Sequence, residues 1–514
     1  MKITYVTMAG NEEANEAYEM GVRRALAGLD QDHGLRLGGE AVEWRGERFD
    51  SRSPTDPQVV IGRFAAGGPP EVARALEAAR AALPKWRTMP WRERIERLRA
   101  AAEKISARAP ELAGLMSLEV GKNRLEAMGD AEEGADLIRY YCAQVEAADG
   151  FARKLGALLP GEDTVSVLRP FGVWGVIAPF NFPVALAAGM SGGALAAGNT
   201  VVFKPAGEAA LSGLRLAEIL DEVLPPGVFN LVTGPGETAG RAFLELDFDG
   251  LVFTGSKEVG FSLLRGFWRE HPKPVIAEMG GKNPAIVTAR ANLDEAASGI
   301  ARSAFGYGGQ KCSACSRAYV AGEVYDGFVD RLVAFTEKLA IGDPVGRDTY
   351  LGPLIREKSV ATWREALGAA RKDGRVLTGS EALPEGTPKG WFVRPAIADR
   401  LPLDHRLFAE ELFVPFLALA RVDSLEQALE LANRTEYGLT AGVFSEDPEE
   451  VERFFDRIEA GVAYANRPTG ATTGAWPGVQ SFCGWKASGS TGKGGCGPWY
   501  VQQFLREQSR TVMR

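Results

Sequence analysis

The sequence predicts an α/β protein with more than one domain, and three observations carry that expectation. A chain of 514 residues exceeds what one hydrophobic core organises, so two or three domains are expected. From about Val173 to Ala277, strand-like and helix-like runs alternate over short connections. A second α/β unit follows from Asn283 to about Asn466. The first alternation reads as a doubly wound parallel sheet. Ligands of such sheets bind beyond the carboxyl ends of the strands, so residues just after each strand matter most.

Taken in order, residues 1–69 mix helix-like and strand-like pieces with turns such as Ser53-Pro54-Thr55-Asp56-Pro57. From Pro70 the pattern is helical: Val72, Leu76, Ala79 and Leu83 share one face, and Ile95, Leu98, Ala102 and Ile105 share another. A further helix is expected from Arg124 to Ala143. In the first α/β unit the expected strands are Val173–Ala178, Thr200–Phe203, Val228–Val232, Leu251–Phe253 and Pro274–Ala277, with helices such as Ala209–Val223 and Ser256–Trp268 between them. Ala285–Val287, Ala318–Val320 and Phe416–Ala420 are the strand candidates of the second. The Gly-, Ser- and Thr-rich stretch Arg467–Gly497 reads as a long loop. The tail Trp499–Arg514 is open between strand and helix, and no repeat of fixed period is present.

Composition narrows the functional classes. Hydrophobic residues at 45% and charged residues at 25% are ordinary for a globular protein, and a net charge of −8 argues against nucleic acid as a partner. No apolar run approaches the roughly 18 residues of a membrane span, so no membrane partner is expected. The N-terminal stretch Met1–Gly10 turns acidic at Glu12 and Glu13 before a signal-peptide core forms. Five scattered cysteines fit free thiols in a reducing compartment, and the protein is expected to be cytoplasmic. Only three histidines are present, none in a motif-like setting. Chemistry is therefore expected to run on Cys, carboxylates, amides and a cofactor, with no metal site.

Cys312 follows the glycine-rich turn Gly306-Tyr307-Gly308-Gly309 and reads as a loop opening into a helix, whose dipole would favour the thiolate. Spacing alone leaves it open between a nucleophile and a buried structural thiol. Cys312 and Cys315 form a lone CxxC without a second pair or a nearby His, which argues against a metal. Glu278 directly follows the apolar run Val275-Ile276-Ala277 and is a candidate general base, with a capped or ion-paired Glu as the alternative. Asn181, bracketed by Pro179 and Pro183 after a strand, has a side-chain NH2 able to donate to an oxyanion, or a carbonyl able to cap a helix. Gly234–Gly240 is only loosely like a dinucleotide fingerprint, whereas Phe253-Thr254-Gly255-Ser256 sits at a strand-to-helix junction suited to pyrophosphate.

These segments occur together. PFNFP (Pro179–Pro183), GNTVVFKPA (Gly198–Ala206), FTGS (Phe253–Ser256), EMGGKNP (Glu278–Pro284) and GQKC (Gly309–Cys312) resemble, in order and spacing, the aldehyde dehydrogenase superfamily over nearly the whole chain. The resemblance implies an aldehyde-dehydrogenase-like fold. A Rossmann-type NAD(P)-binding domain would take residues 1–150 and 171–279, and an α/β catalytic domain residues 280–466. A small β-flap for oligomerisation would comprise 151–170 and 498–514, with 467–497 as a substrate-anchor loop region. It implies Cys312 as nucleophile, Glu278 as base, and Asn181 with the Cys312 N–H as oxyanion hole. It also implies a dinucleotide along Ala178, Pro179, Phe180, Lys204, Gly207, Glu208, Gly236, Phe253, Thr254, Gly255, Ser256, Val259 and Met279. Glu411 and Phe413 would meet its nicotinamide ribose.

Within the superfamily, the run Tyr307–Ser316 resembles the 1-pyrroline-5-carboxylate dehydrogenase branch, which oxidises L-glutamate γ-semialdehyde to glutamate in proline breakdown. That resemblance implies Lys311 and Ser313 at the substrate, backbone N–H groups of Gly474 and Ala475 for its carboxylate, and Phe182 and Phe482 along its aliphatic chain. Another semialdehyde, such as succinate semialdehyde, is the alternative substrate. The partners implied are a small aldehyde and further copies of the chain. Three positions depart from the pattern. Pro468–Thr472 is longer than usual, and Val414 replaces a glycine. Gly207 stands where a ribose-binding Glu is common, with Glu208 one place late. The last departure predicts NAD use with substantial NADP acceptance.

Overall fold

The computed structural model describes residues 11–268 and 270–514. The expectation for Met1–Gly10 lies outside the described residues. Two seven-stranded sheets dominate. In the first, the spatial order is Val275–Glu278, Gly250–Thr254, Val173–Ile177, Thr200–Lys204, Phe229–Leu231, Leu35–Leu37 and Glu40–Val42. The first five strands run parallel, and the last two join antiparallel. Strands buried on both faces read as near-continuous apolar runs, as Thr200-Val-Val-Phe-Lys204 does. Every expected strand of this unit is present with ends shifted by a residue or so. One shift matters, because Glu278 is the last residue of its strand, paired with Thr254, rather than the residue after it.

The parallel part of this sheet begins at Val173–Ile177, adds two strands on one side, then crosses to add Gly250–Thr254 and Val275–Glu278 on the other. The order therefore reverses beside Val173–Ile177, and a crevice opens beyond the carboxyl ends there. Asn181 and Gly255 follow the two strands that flank it.

The second sheet is ordered Arg375–Thr378, Ala396–Asp399, Phe416–Val422, Cys315–Ala321, Asn283–Val287, Thr440–Phe444 and Val462–Ala465, with the first strand antiparallel. The helices Pro69–Thr88, Trp91–Ala107, Ala109–Val120 and Arg124–Ala147 precede the first sheet's central strand. Val72, Leu76 and Ala79 are buried, as are Ile95, Leu98, Ala102 and Ile105. The helix expected from Arg124 extends four residues beyond Ala143, and Asn123 caps its start by accepting the Glu126 N–H.

The tail is a short helical turn, Val501–Phe504, followed by a strand. Leu505–Met513 pairs antiparallel with Glu162–Pro170 along nine residues, and Ala152–Lys154 lies on the other side of Glu162–Pro170. The stretch 467–497 is mostly irregular, with one two-residue strand at Trp485–Lys486. Ser490 N–H donates to the Ala277 carbonyl, and Ser490 Oγ takes the Ala277 N–H. This loop thus covers the edge strand of the first sheet. Among the described residues no helix is long and apolar enough to cross a membrane, and no cluster of three or more His, Cys, Asp or Glu is arranged to hold a metal.

Candidate active site

The two sheets meet where the strand Val275–Glu278 ends and Asn283–Val287 begins, only Met279-Gly-Gly-Lys282 apart. The chain thereby passes from the carboxyl edge of one sheet to the amino edge of the other. Glu278 is left at this seam, and Asn283 reaches across it. Asn283 Nδ2 donates to the Cys312 carbonyl at 2.7 Å and to the Ala314 carbonyl at 2.9 Å. A Cβ on Gly281 would stand 2.6 Å from the Cys312 carbonyl oxygen, so only glycine permits that approach. Glu278 and Cys312, 34 residues apart in sequence, are brought together by this crossing.

The local setting of Cys312 differs from expectation. Cys312 is followed by the strand Cys315–Ala321, not by a helix, so the helix dipole foreseen from the following residues is not there. The preceding turn is left-handed at Tyr307, Gly308 and Gly309, and a Cβ on Gly309 would meet the Val414 carbonyl at 2.5 Å. Burial pushes the Cys312 thiol up to about 12, and the carboxylates of Glu411 and Glu278 add to the effect. Cys315 is buried, with its Sγ 3.5 Å from the Arg317 carbonyl, as expected of a structural thiol.

Glu278 has neither expected alternative role: it caps no helix and no ion pair is formed by it among the described residues. Its Oε2 accepts the Gly484 N–H at 3.1 Å, and burial pushes it up to about 8 against that hydrogen bond. Asn181 is buried, and its Nδ2 donates to the Gln310 carbonyl at 3.0 Å, two residues before Cys312. It does not cap a helix, since the next one begins at Ala185 with Val184 at the capping position. Gln310, part of the GQKC segment, was given no role of its own, yet its Oε1 also takes the Ile355 N–H.

Ala178, Pro179 and Phe180 leave the strand Val173–Ile177, and Ala178 N–H donates to the Lys204 carbonyl on the neighbouring strand at 3.1 Å. Lys204 is buried, with Nζ donating to the Pro205 carbonyl, and burial lowers it to about 8. Glu208 is turned to Arg356, its Oε1 lying 3.2 Å from the guanidinium. Gly207 beside it leaves a space whose nearest neighbour is the Phe49 ring, 3.4 Å from an added Cβ. At Gly236 nothing lies within 4 Å of one. Ser256 caps the helix Lys257–Gly266 by accepting the Val259 N–H, and Val259 is exposed on its first turn. Phe253 and Met279 are buried, and Thr254 Oγ1 lies 3.5 Å from Met190 Sδ. Glu411 Oε1 accepts the Gly281 N–H at 2.9 Å, and burial raises its carboxyl to about 7. Phe413 stands edge-on to Phe180 with centroids 6.0 Å apart. It holds φ at +57°, a left-handed conformation costing about 1–3 kcal/mol in a non-glycine residue. Val414, the departure from the family pattern, is buried in the second sheet's core.

The expected substrate residues divide. Ser313 is buried, and its carbonyl accepts Thr472 Oγ1 at 2.6 Å, so the residue after Cys312 is tied to the loop ahead of Gly474. Thr472 N–H in turn donates to Ser303 Oγ. Gly474 has φ +112°, and its carbonyl accepts from Arg467; Ala475 continues that loop. Phe482 N–H donates to the Gly495 carbonyl, and the ring packs with Phe182 on the first sheet's core. Lys311 forms an ion pair with Glu126 at 2.5 Å, a partner the sequence did not suggest because the two are 185 residues apart.

Residues 42–509 match the aldehyde dehydrogenase family. The chain is 36% identical to the 1-pyrroline-5-carboxylate dehydrogenase of Geobacillus sp. (strain WCH70), covering 97% of this chain and 96% of that protein. It is 35% identical to a solved 1-pyrroline-5-carboxylate dehydrogenase from Thermus with bound NAD, with a TM-score of 0.93 over 98% of this chain and 97% of that one. Lactaldehyde dehydrogenase from Escherichia coli is also similar, at 30% identity and a TM-score of 0.88, over 95% of this chain and 100% of that one.

Proposed function

This chain belongs to the aldehyde dehydrogenase family, and on that premise we propose that it oxidises L-glutamate γ-semialdehyde, the open form of 1-pyrroline-5-carboxylate, to L-glutamate with NAD(P) in proline degradation. The observation that carries the substrate assignment is the hydrogen bond from Thr472 to the Ser313 carbonyl. It couples the residue after the nucleophile to the loop of Gly474 and Ala475, so one rigid unit presents both the reacting sulfur and a carboxylate anchor.

In this reading Cys312 Sγ adds to the aldehyde carbon, and its proton passes to solvent. The oxyanion is held by the second N–H of the Asn181 amide and the Cys312 backbone N–H; one such donor is worth about 100- to 1,000-fold in rate. The nicotinamide cofactor supplies the hydride acceptor. A thioester on Cys312 remains, and Glu278 takes a proton from the water that hydrolyses it.

The residues present fit such a dinucleotide. The buried Lys204 ammonium spends one N–H on a protein carbonyl and has others for ribose hydroxyls. Gly236 leaves open space beside the backbone, Val259 offers an exposed apolar contact for a base, and the Ser256-capped helix provides N–H groups for pyrophosphate. Glu411, placed against Gly280 and Gly281, would take the nicotinamide ribose.

The three-stranded flap, with Leu158, Leu159, Val512 and Met513 exposed, supports a homo-oligomer built through it. Five free thiols support a cytoplasmic setting.

The deciding experiment compares glutamate γ-semialdehyde with succinate semialdehyde, each with NAD and with NADP. A site built to bind the amino-acid end should favour the first in kcat/KM by about 100-fold or more. Equal or better use of succinate semialdehyde would overturn the assignment.

A further inference from the structure

Two fully buried charged residues lie behind the oxyanion side of the site and have no role in the chemistry derived above. Lys122 follows the helix Ala109–Val120, and Asp130 stands in the second turn of the helix Arg124–Ala147. Their side chains are both 0% exposed, and Lys122 Nζ lies 2.6 Å from Asp130 Oδ2.

Each makes a second contact that leads to the site. Asp130 Oδ1 accepts the Ala185 N–H at 2.6 Å, at the start of the twelve-residue helix Ala185–Ala196. Val184, at the capping position, has no side-chain oxygen to satisfy that terminus, so a carboxylate from 55 residues upstream performs the capping. Asn181, Phe182 and Pro183 immediately precede this helix. The Lys122 ammonium sits 3.7 Å from the centroid of the Phe182 ring and 5.2 Å from that of Tyr307. Tyr307 belongs to the turn leading to Gln310, whose carbonyl receives the Asn181 amide, and its own hydroxyl donates to the Val120 carbonyl. The pair thus touches both segments that the Asn181–Gln310 hydrogen bond joins.

We propose that Lys122 and Asp130 are positioning residues for the proposed reaction: Asp130 fixes the helix that carries Asn181 and Phe182, and Lys122 fixes the Phe182 ring against the Tyr307 turn. This rests on the reading of Asn181 and Phe182 as active-site residues. A shift of about 1 Å in such a group costs on the order of 100-fold in rate, so the pair acts on turnover without touching substrate. A purely structural ion pair would behave differently, because apolar replacement of both partners commonly leaves function intact.

The test uses Lys122→Met, Asp130→Leu and the double variant, with Asn181→Ala in parallel. Four quantities are measured: the amplitude of the pre-steady-state burst of reduced cofactor, its rate constant, the aldehyde KM, and the Kd for NADH from fluorescence. Positioning predicts a burst of full amplitude, a rate constant lowered at least tenfold, a raised aldehyde KM, and an NADH Kd within twofold of the parent. Loss of amplitude alone, at unchanged rate constant and KM, overturns the proposal. Should a single variant lose NADH binding, the double variant decides, since it leaves no charge unpaired. A double variant with parental rate constant, or one that cannot bind NADH, overturns the proposal. An Asn181→Ala enzyme with an undiminished burst would instead bring down the site reading on which it rests.

Discussion

Cys312 and Glu278 illustrate how far a residue's chemistry depends on its surroundings. Both were legible in the sequence, one after a glycine-rich turn and the other after an apolar run. Their ionisation was not, because it depends on burial and on charges far along the chain. Burial pushes the thiol up to about 12, so the burst rate should climb with pH, about tenfold per unit while the thiolate is the minor form. Glu278 must be ionised to accept a proton, and burial pushes it up to about 8. Steady-state kcat should therefore rise with pH along a limb centred near pH 8, and a kcat flat from pH 6 to 9 would contradict that assignment. Cys312→Ala should abolish dehydrogenation. Glu278→Ala should keep the burst while lowering turnover by about 100- to 10,000-fold. Stopped-flow detection of reduced cofactor separates the two.

At the scale of elements, the expected strands and helices formed wherever periodicity marked them, since buried parallel strands and amphipathic helices carry that pattern locally. Directly after Cys312 the helix foreseen is absent: the strand expected at Ala318–Val320 already begins at Cys315, because Cys315–Ala321 is a buried central strand paired on both sides. Pairing partners decide such short apolar runs, and they lie 30 to 100 residues away. The junction after Thr200–Lys204 bears on cofactor choice. Gly207 offers no carboxylate, and Glu208 is held by Arg356, so nothing there repels a 2′-phosphate. Gly207→Glu should lower kcat/KM with NADP by at least tenfold while sparing NAD. Steady-state titration of both cofactors checks this, and an unchanged NADP/NAD ratio would remove Gly207 from the account.

At the scale of the whole molecule, the nine-residue pairing of Leu505–Met513 with Glu162–Pro170 leaves an exposed edge and exposed apolar side chains, a surface suited to a second copy. Removing residues 506–514 should convert the homo-oligomer proposed above to monomer, as read by sedimentation velocity, and an unaltered sedimentation coefficient would overturn an interface through this flap. The sequence by itself determined the α/β class and the succession of strands along the first unit, and it marked Cys312, Glu278 and Asn181 as candidates. Those features are written in local periodicity and in contiguous motifs. Only the tertiary structure decided that four residues, Met279–Lys282, carry the chain from one sheet edge to the other and so bring Glu278 to Cys312. It alone revealed that Asn181 is tied to Gln310, that Thr472 ties the loop ahead of Gly474 to Ser313, and that Asp130 caps the helix beyond Asn181. Contacts across 55 to 159 residues leave no trace in spacing, because they arise from how buried polar groups find partners once the sheets are packed. Cys312 was readable as a candidate from its own neighbourhood, whereas the site around it exists only where the two sheets meet.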